Sequence, residues 1–454
     1  MTTKNLIPPH QIRTRFSRAM SLMYREEVPA YGTLLDLVHD VNEAALENDP
    51  AFKEKLSQSD NLERISEERH GAIRIGKAEE LKTMSRLFGV MGMKAVSYYD
   101  LTQAGVPVHS TAFRAIDGEE LSRSPFRMFT SLLRTELIDD ESLRKHCEVI
   151  LEDRKIFSEE LLYLIEKSEE ESGLSDDDTD TFIIEATNVF KWHEDAVVDK
   201  DFYLKLKAID PRAADIVCFK GPHINHLTPR TLDIDEVQRQ MPEHGINPKN
   251  VIEGPPQSCP VLLRQTSFKA LTEPVKFHGV EGEHTARFGE IEQRSAALRP
   301  EGRSLYDTLL GEVREKIKPA LDGSNAAEYM QVLEETFKSF PSAYEEMREQ
   351  NIAYFQYFLT EKGKSHHGIV THNLENLIRD GLVDYIPITY EDFLPVSAAG
   401  IFSSNASDHD TKDMFKSSSQ EDFEKALGHE TLSEFDLYET IEKESIDKVL
   451  EYFK

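Results

Sequence analysis

The chain has 454 residues, 39% of them hydrophobic, which is enough for a large core and more than one structural unit. Its formal net charge of −30 is the opposite of the basic footprint that a nucleic acid or an anionic membrane requires, and no run of 18 apolar residues offers a membrane-spanning helix. An anionic substrate would therefore need its own local arginine or lysine against an unfavourable overall field.

Residues 1–60 carry Ile12, Phe16, Met20 and Met23, then Leu34, Leu35 and Val38, at helical spacing, so this segment is predicted to be a packed helical part. It has no apolar leader core and no small-residue cleavage site, and Glu26 and Glu27 argue against a transit peptide. Cys147, Cys218 and Cys259 lie far apart, with no Cys-x-x-Cys pair, which fits a reducing compartment and speaks against a thiolate zinc site. A cytoplasmic protein is expected.

Residues 61–135 change character. RHGAIRIG alternates like a strand, KAEELKTMSRLFGV places Leu81, Met84, Leu87 and Phe88 on one helical face ending near Gly89, and KAVSYYDL, VHSTAFRAI and SPFRMFTSLL follow as β-rich runs. The order is β-α-β-β-β. Residues 136–212 are predicted to be a helical, charged insertion, with SEEESGLSDDDTD as an exposed acidic loop and Trp192 as a packing residue. Residues 213–300 repeat the earlier order: ADIVCFKGPHINHL as a strand, LDIDEVQRQMPEHG as a helix ended by Gly245, then NVIEGPP, VLLRQTSFKAL and HTARFGEIEQR as β-like runs. Residues 301–380 read as helices, including YEEMREQNIAYFQYFL, and 381–405 as extended. The remainder of 381–454 is a polar tail, helical from Leu432. The predicted fold class is α+β, with two β-α-β-β-β units forming a central curved sheet between helical parts.

The first strands of both units carry histidines, His70 in one and His223 or His226 in the other, and the last strand of the second unit carries Glu290 and Glu292. Two imidazoles and one carboxylate form the facial triad of non-haem Fe(II) oxygenases, which leaves open positions for a chelating substrate and dioxygen. A zinc hydrolase could use the same ligands. A lone strand histidine is more often a hydrogen-bonded structural residue, and it is the occurrence in equivalent strands of a repeat that raises the metal reading. Strand alternation groups His226 with Ile224 and His223 with Asn225, so only one of these histidines faces a cavity. Glu290 and Glu292 share a face, and the expectation is one ligand and one carboxylate paired with Arg294. Arg74 shares a face with His70, roughly 13 Å along the strand, and a guanidinium is the favoured partner of a substrate carboxylate. Gln265 and Ser267 share a face of a middle strand, His284 matches Glu290 in parity as a supporting residue, and Ser397 is a candidate contact from the C-terminal segment. His366, His367 and His372 form a further histidine cluster, read as a loop. No phosphate-binding loop, dinucleotide fingerprint or serine-nucleophile elbow is present.

At RHGAIRIG, GPHINHLTPRTLDID, RFGEIEQR and PVSAAGIF the chain resembles the 2-oxoadipate dioxygenase/decarboxylase family, also called 2-hydroxyglutarate synthases, of the vicinal-oxygen-chelate superfamily. The resemblance implies paired β-α-β-β-β modules and Fe(II) held by His70, His226 and Glu290. It also implies Arg74 on a substrate carboxylate, with Val396 and Ser397 lining the pocket. The implied reaction takes 2-oxoadipate and O2 to 2-hydroxyglutarate and CO2 in lysine breakdown, with no nucleic-acid or membrane partner. The competing readings are a non-redox metal-dependent lyase, isomerase or hydrolase on the same scaffold, and a metal-free binding protein.

Overall fold

The computed structural model describes residues 6–59, 62–102, 105–268, 271–320, 322–366, 373–394 and 418–454. The chain opens with helices α1 (Pro9–Glu27), α2 (Pro29–Asn48), α3 (Pro50–Ser59) and α4 (Leu62–Glu67). A proline at the start of each of the first three suits a helix N-terminus, where its missing N–H has no intrahelical partner to lose. The first unit is then β1 (Arg69–Ile75), α5 (Ala78–Val90), β2 (Lys94–Asp100), β3 (Val108–Arg114), a short α6 (Gly118–Arg123) and β4 (Phe126–Leu133). The expected β-α-β-β-β order is present. The turn after α5 falls at Gly92, whose φ of +69° is in the left-handed region, rather than at Gly89.

The insertion holds α7 (Glu141–Asp153), α8 (Glu159–Glu171), α9 (Asp176–Val189), the short β5 (Asp195–Ala196), α10 (Lys200–Ile209) and α11 (Pro211–Val217). Two expectations fail here. The acidic run is not one exposed loop. Its glutamates end α8, Ser175 caps α9, and Asp176, Asp177 and Asp178 fill the first turn of α9, where the helix dipole favours negative charge. Nor is 213–226 one strand: the Asp210 side chain accepts from the backbone N–H groups of Arg212 and Ala213, and this cap with Pro211 starts a helix that outweighs the β-branched residues after it.

The second unit is β6 (His226–Pro229), α12 (Ile234–Gln240), β7 (Leu263–Ser267), β8 (Thr272–Phe277), β9 (Val280–Thr285) and β10 (Glu290–Arg294). One sheet runs β2-β3-β4-β1-β6, with β1 parallel to β4 and antiparallel to β6. Past β6, the parallel bridge Arg230–Glu292 and the Thr231 N–H to Glu292 carbonyl bond (2.7 Å) lead to β10, which pairs with β7. Residues 248–253 then pair with β7 through Lys249, Pro248 and the reciprocal Glu253–Gln265 bonds. The second unit therefore mirrors the first: β6 matches β1, α12 matches α5, residues 248–253 match β2, β7 matches β3 and β10 matches β4. The β8–β9 hairpin is an addition that pairs with β5 instead. Its two-residue turn, His278 and Gly279, has positive φ at both positions, as a tight hairpin requires. This hairpin is why HTARFGEIEQR is two strands and not one.

One sheet face packs on α1, α2, α5, α8, α9 and α12, with Ile73, Ile75, Phe126, Met128, Leu227 and Ile291 in that core. The C-terminal part follows with α13 (Pro300–Lys316), α14 (Ala326–Phe337), α15 (Tyr344–Glu349), β11 (Phe355–Leu359), α16 (Glu361–Lys364), α17 (Leu374–Arg379), β12 (Val383–Pro387), α18 (Ser418–Leu427) and α19 (Glu434–Tyr452). YEEMREQNIAYFQYFL is not one helix: Asn351 takes a left-handed φ of +55°, and β11 pairs with β12. The last helix begins at Glu434, close to the expected Leu432, and α18 is a further helix before it. No described helix is long and apolar enough to cross a membrane.

Candidate metal centre

The face of the sheet opposite the helices carries polar side chains that ordinary burial would exclude. In the β1–β6 ladder His70 lies across from Thr228, Gly71 from Leu227 and Ala72 from His226. His70 and His226 each stand one residue before the Gly71–Leu227 pair, so they occupy equivalent positions of the two units. Across β10 and β7, Glu290 faces Ser267 and Glu292 faces Gln265. Residues directly opposite in an antiparallel ladder share a face, so the sheet brings His70, His226, Glu290, Glu292, Gln265 and Ser267 together, with Arg74 further along β1.

The His70, His226 and Glu290 ligand atoms all lie within 4.8 Å of one another, and none of the three side chains is more than 1% exposed. His70 Nε2 is 3.1 Å and His226 Nε2 3.4 Å from Glu290 Oε2, which also accepts from the Thr228 hydroxyl at 2.8 Å. The rings of His70 and His226 stand nearly perpendicular, 5.4 Å apart. Glu292 sits on the other side of His70, its Oε2 2.9 Å from Nδ1, and Arg294 grips both Glu292 oxygens at 2.8 and 2.9 Å. A carboxylate on Nδ1 selects the tautomer whose Nε2 lone pair points at the centre. Phe393 packs on the His70 ring at 4.9 Å and Phe288 on the His226 ring at 4.7 Å.

Electrostatics suit a cation. Burial pushes His226 down to about 4, which keeps the imidazole neutral as a ligand must be. Burial alone would raise the Glu290 carboxyl, but His226 and His70 more than offset this and hold it below its ordinary value. Both nitrogens of His226, Glu290 Oε1, the Gln265 amide and the Ser267 hydroxyl are buried without a hydrogen-bond partner among the described residues. Buried polar atoms are rarely left so, and four such side chains on one face fit a bound cation and a polar ligand. Two imidazoles and a carboxylate suit a divalent first-row metal.

His226 does not share its face with Ile224, contrary to the expectation from strand alternation. Ile224 lies on the opposite face, 2.8 Å from where a Cβ on Gly71 would stand, because regular strand begins only at His226. His223 does not alternate with it either. It joins a second cluster with Asp215 and His284, near Arg74, whose Nη1 donates to Asp215 Oδ2 at 2.8 Å. His284 is thus separated from Glu290 by the end of β9. Trp192 packs against His223 and His284, with its ring 4.7 Å from that of His223. Val396, Ser397, His367 and His372 lie outside the described residues. Thr228 and Phe393 were not anticipated; Thr228 shares the parity of His226 and was within reach of strand alternation, whereas Phe393 arrives from the distant C-terminal segment.

The sequence model of the 2-oxoadipate dioxygenase/decarboxylase family matches residues 16–405. The chain is 52% identical over 453 residues to the 2-oxoadipate dioxygenase/decarboxylase of Pseudomonas putida, covering 98% of this chain and 97% of that one. It is 52% identical over 445 residues to the enzyme of the same description from Escherichia coli, covering 97% and 98%. The crystal structure of the Pseudomonas putida hydroxyglutarate synthase in complex with 2-oxoadipate superposes with a TM-score of 0.93 at 51% identity, over 99% of this chain and 100% of that one.

Proposed function

Because the chain belongs to the 2-oxoadipate dioxygenase/decarboxylase family, we propose that it is an Fe(II)-dependent enzyme converting 2-oxoadipate and O2 to 2-hydroxyglutarate and CO2 in cytoplasmic lysine breakdown. The observation that carries this reading is the convergence of His70, His226 and Glu290 beside orphaned polar groups, on the sheet face that also bears Arg74. The three buried, unpaired cysteines fit the reducing compartment.

His70, His226 and Glu290 would hold the metal. Bound Fe(II) supplies open coordination positions and the redox chemistry that activates dioxygen. Glu292 and Arg294 fix the His70 tautomer, and Thr228 orients Glu290. Arg74 binds the substrate carboxylate remote from the metal, which fixes the dicarboxylate in one orientation. Gln265 and Ser267 offer polar atoms to the chelating end. Phe393 on His70 and Phe288 on His226, with Phe129 packed behind Phe393, exclude water around the two histidines.

The test is oxygen uptake by anaerobically purified, Fe(II)-reconstituted protein given 2-oxoadipate, with product acids identified by mass spectrometry. Uptake matched by CO2 and 2-hydroxyglutarate, and abolished in His226→Ala, is the expected result. Absence of uptake with any 2-oxo acid despite bound iron would sink the proposal. Arg74→Ala should cost about 2–5 kcal/mol in kcat/KM by leaving a substrate carboxylate unpaired, with iron content unchanged; loss of iron would refute its role.

A further inference from the structure

Arg74 is held by a buried network that the reading above leaves unused. Its Nη1 donates to Asp215 Oδ2 at 2.8 Å, and the Asn225 amide donates to the same oxygen at 3.2 Å. The other oxygen, Oδ1, lies 2.8 Å from His284 Nε2 and 3.0 Å from His223 Nε2. An ionised carboxylate only accepts, so His284 Nε2 carries the proton, and its Nδ1 takes a bond from the Tyr203 hydroxyl, 2.8 Å away. Trp192 covers the two imidazoles, and the Arg287 guanidinium covers Trp192 at 4.7 Å. Burial opposes the charge on Asp215, yet His223, His284 and Arg74 together hold its carboxyl well below the ordinary range.

We propose that Asp215, braced by His284, Tyr203 and Asn225, is the positioning residue that makes Arg74 a selector for substrates with a second carboxylate. A guanidinium on a flexible stem loses rotamer freedom when it binds, and an anion that already holds it meets that cost in advance. Arg74 shares its face of β1 with His70 and lies across from Ser131 on β4, whose hydroxyl accepts from Ser110 at 2.8 Å, so the strand positions beside Arg74 are polar. Asp215, His223 and His284 also converge closely enough to hold a cation. Two features disfavour one: the Asp215 charge is already matched by Arg74, and a dication would sit against that guanidinium.

This inference rests on the reading that Arg74 binds a substrate carboxylate. Its test is anaerobic calorimetry of Fe(II)-loaded wild type and Asp215→Asn with 2-oxoadipate and with 2-oxohexanoate, the monocarboxylate of equal chain length. Asp215→Asn should weaken 2-oxoadipate by about 30-fold or more and 2-oxohexanoate by less than about three-fold. Tyr203→Phe, which deletes one hydroxyl at the far end of the network, should shift the same ratio in the same direction by less, and it carries the test if Asp215→Asn does not fold. Equal weakening of both acids, or no change in either, overturns the proposal. A second equivalent of metal in the wild type that disappears in His223→Ala overturns it too. If the wild type binds neither acid, the failure belongs to the proposed function and takes this inference with it.

Discussion

Glu290 and Glu292 stand two residues apart on one strand and present carboxylates to opposite nitrogens of the same imidazole. Their surroundings separate their roles. Arg294 grips Glu292, whose carboxyl is drawn down to about 2 against the burial that would raise it, whereas no arginine grips Glu290 among the described residues and its partners are the two imidazoles and the Thr228 hydroxyl, with the Lys249 ammonium acting on it through its charge. The first is a fixed support and the second an available ligand. Glu290→Ala should therefore abolish iron binding, while Glu292→Ala should keep the site but weaken its iron affinity about 10–100-fold, as supporting partners of metal ligands do. Metal content after dialysis against graded chelator distinguishes the two. Equal loss in both variants would reject the division of roles.

At the level of elements, the site depends on how closely β10 approaches its neighbours. Glu290 is preceded by Gly289, where a Cβ would lie 1.6 Å from the Phe268 ring, so the absence of a side chain lets the ring seat against the strand and sets the height of Glu290 above the sheet. Gly289→Ala must push the ring or the strand aside. Overpacking of this kind costs about 1–3 kcal/mol. The expected result is a lower thermal midpoint with a larger proportional loss of iron affinity. An unchanged midpoint with full iron content would show that β10 is not held by this contact. The strap at 388–394 is a second such element. Arg294 donates to the carbonyls of Tyr390 and Asp392, Arg114 grips Asp392 at 2.8 and 2.9 Å, and Arg64 and Arg127 hold Glu391, so the strap brings Phe393 onto His70.

The whole molecule inverts the usual placement of charge. Its net charge of −30 sits around an interior in which Arg64, Arg127 and Arg230 converge on fully buried Glu68, with Arg294 at 3.7 Å. Such clusters hold only while every member is paired. At their edge, the first turn of α19 places Glu434 beside Asp392. Burial, and then Asp392, pushes its carboxyl up to about 7, even though Ser97 donates to it at 3.0 Å. A carboxyl raised in the fold favours the folded state while protonated, so its contribution is complete below the ordinary glutamate value and is lost as pH rises toward and through 7. Stability should fall by about 1–3 kcal/mol between pH 5 and 8. Glu434→Gln should flatten that slope, as read from denaturant midpoints across the same range. A slope unchanged in the variant would assign the pH dependence elsewhere.

The repeat, the alternation of β1 and β10 and the amphipathic face of α5 were legible in the sequence. Hydrophobic period depends on neighbours a few residues away, and strand parity alone places Glu290 with Glu292 and His70 with Arg74. Local signals also misled where a cap outweighed a run, as at Asp210–Pro211, or where one run held the end of one strand and the start of the next, as at 284–294. Only the tertiary structure decided which charges meet. Arg74 finds Asp215 across 141 residues and His70 finds Glu290 across 220. Nothing in a local pattern encodes such a pairing, because its energy exists only once the sheet has closed and water has been removed from between the charges. In the same way, it is where β6 begins its pairing with β1 that brings His226, and not His223, beside His70 and Glu290.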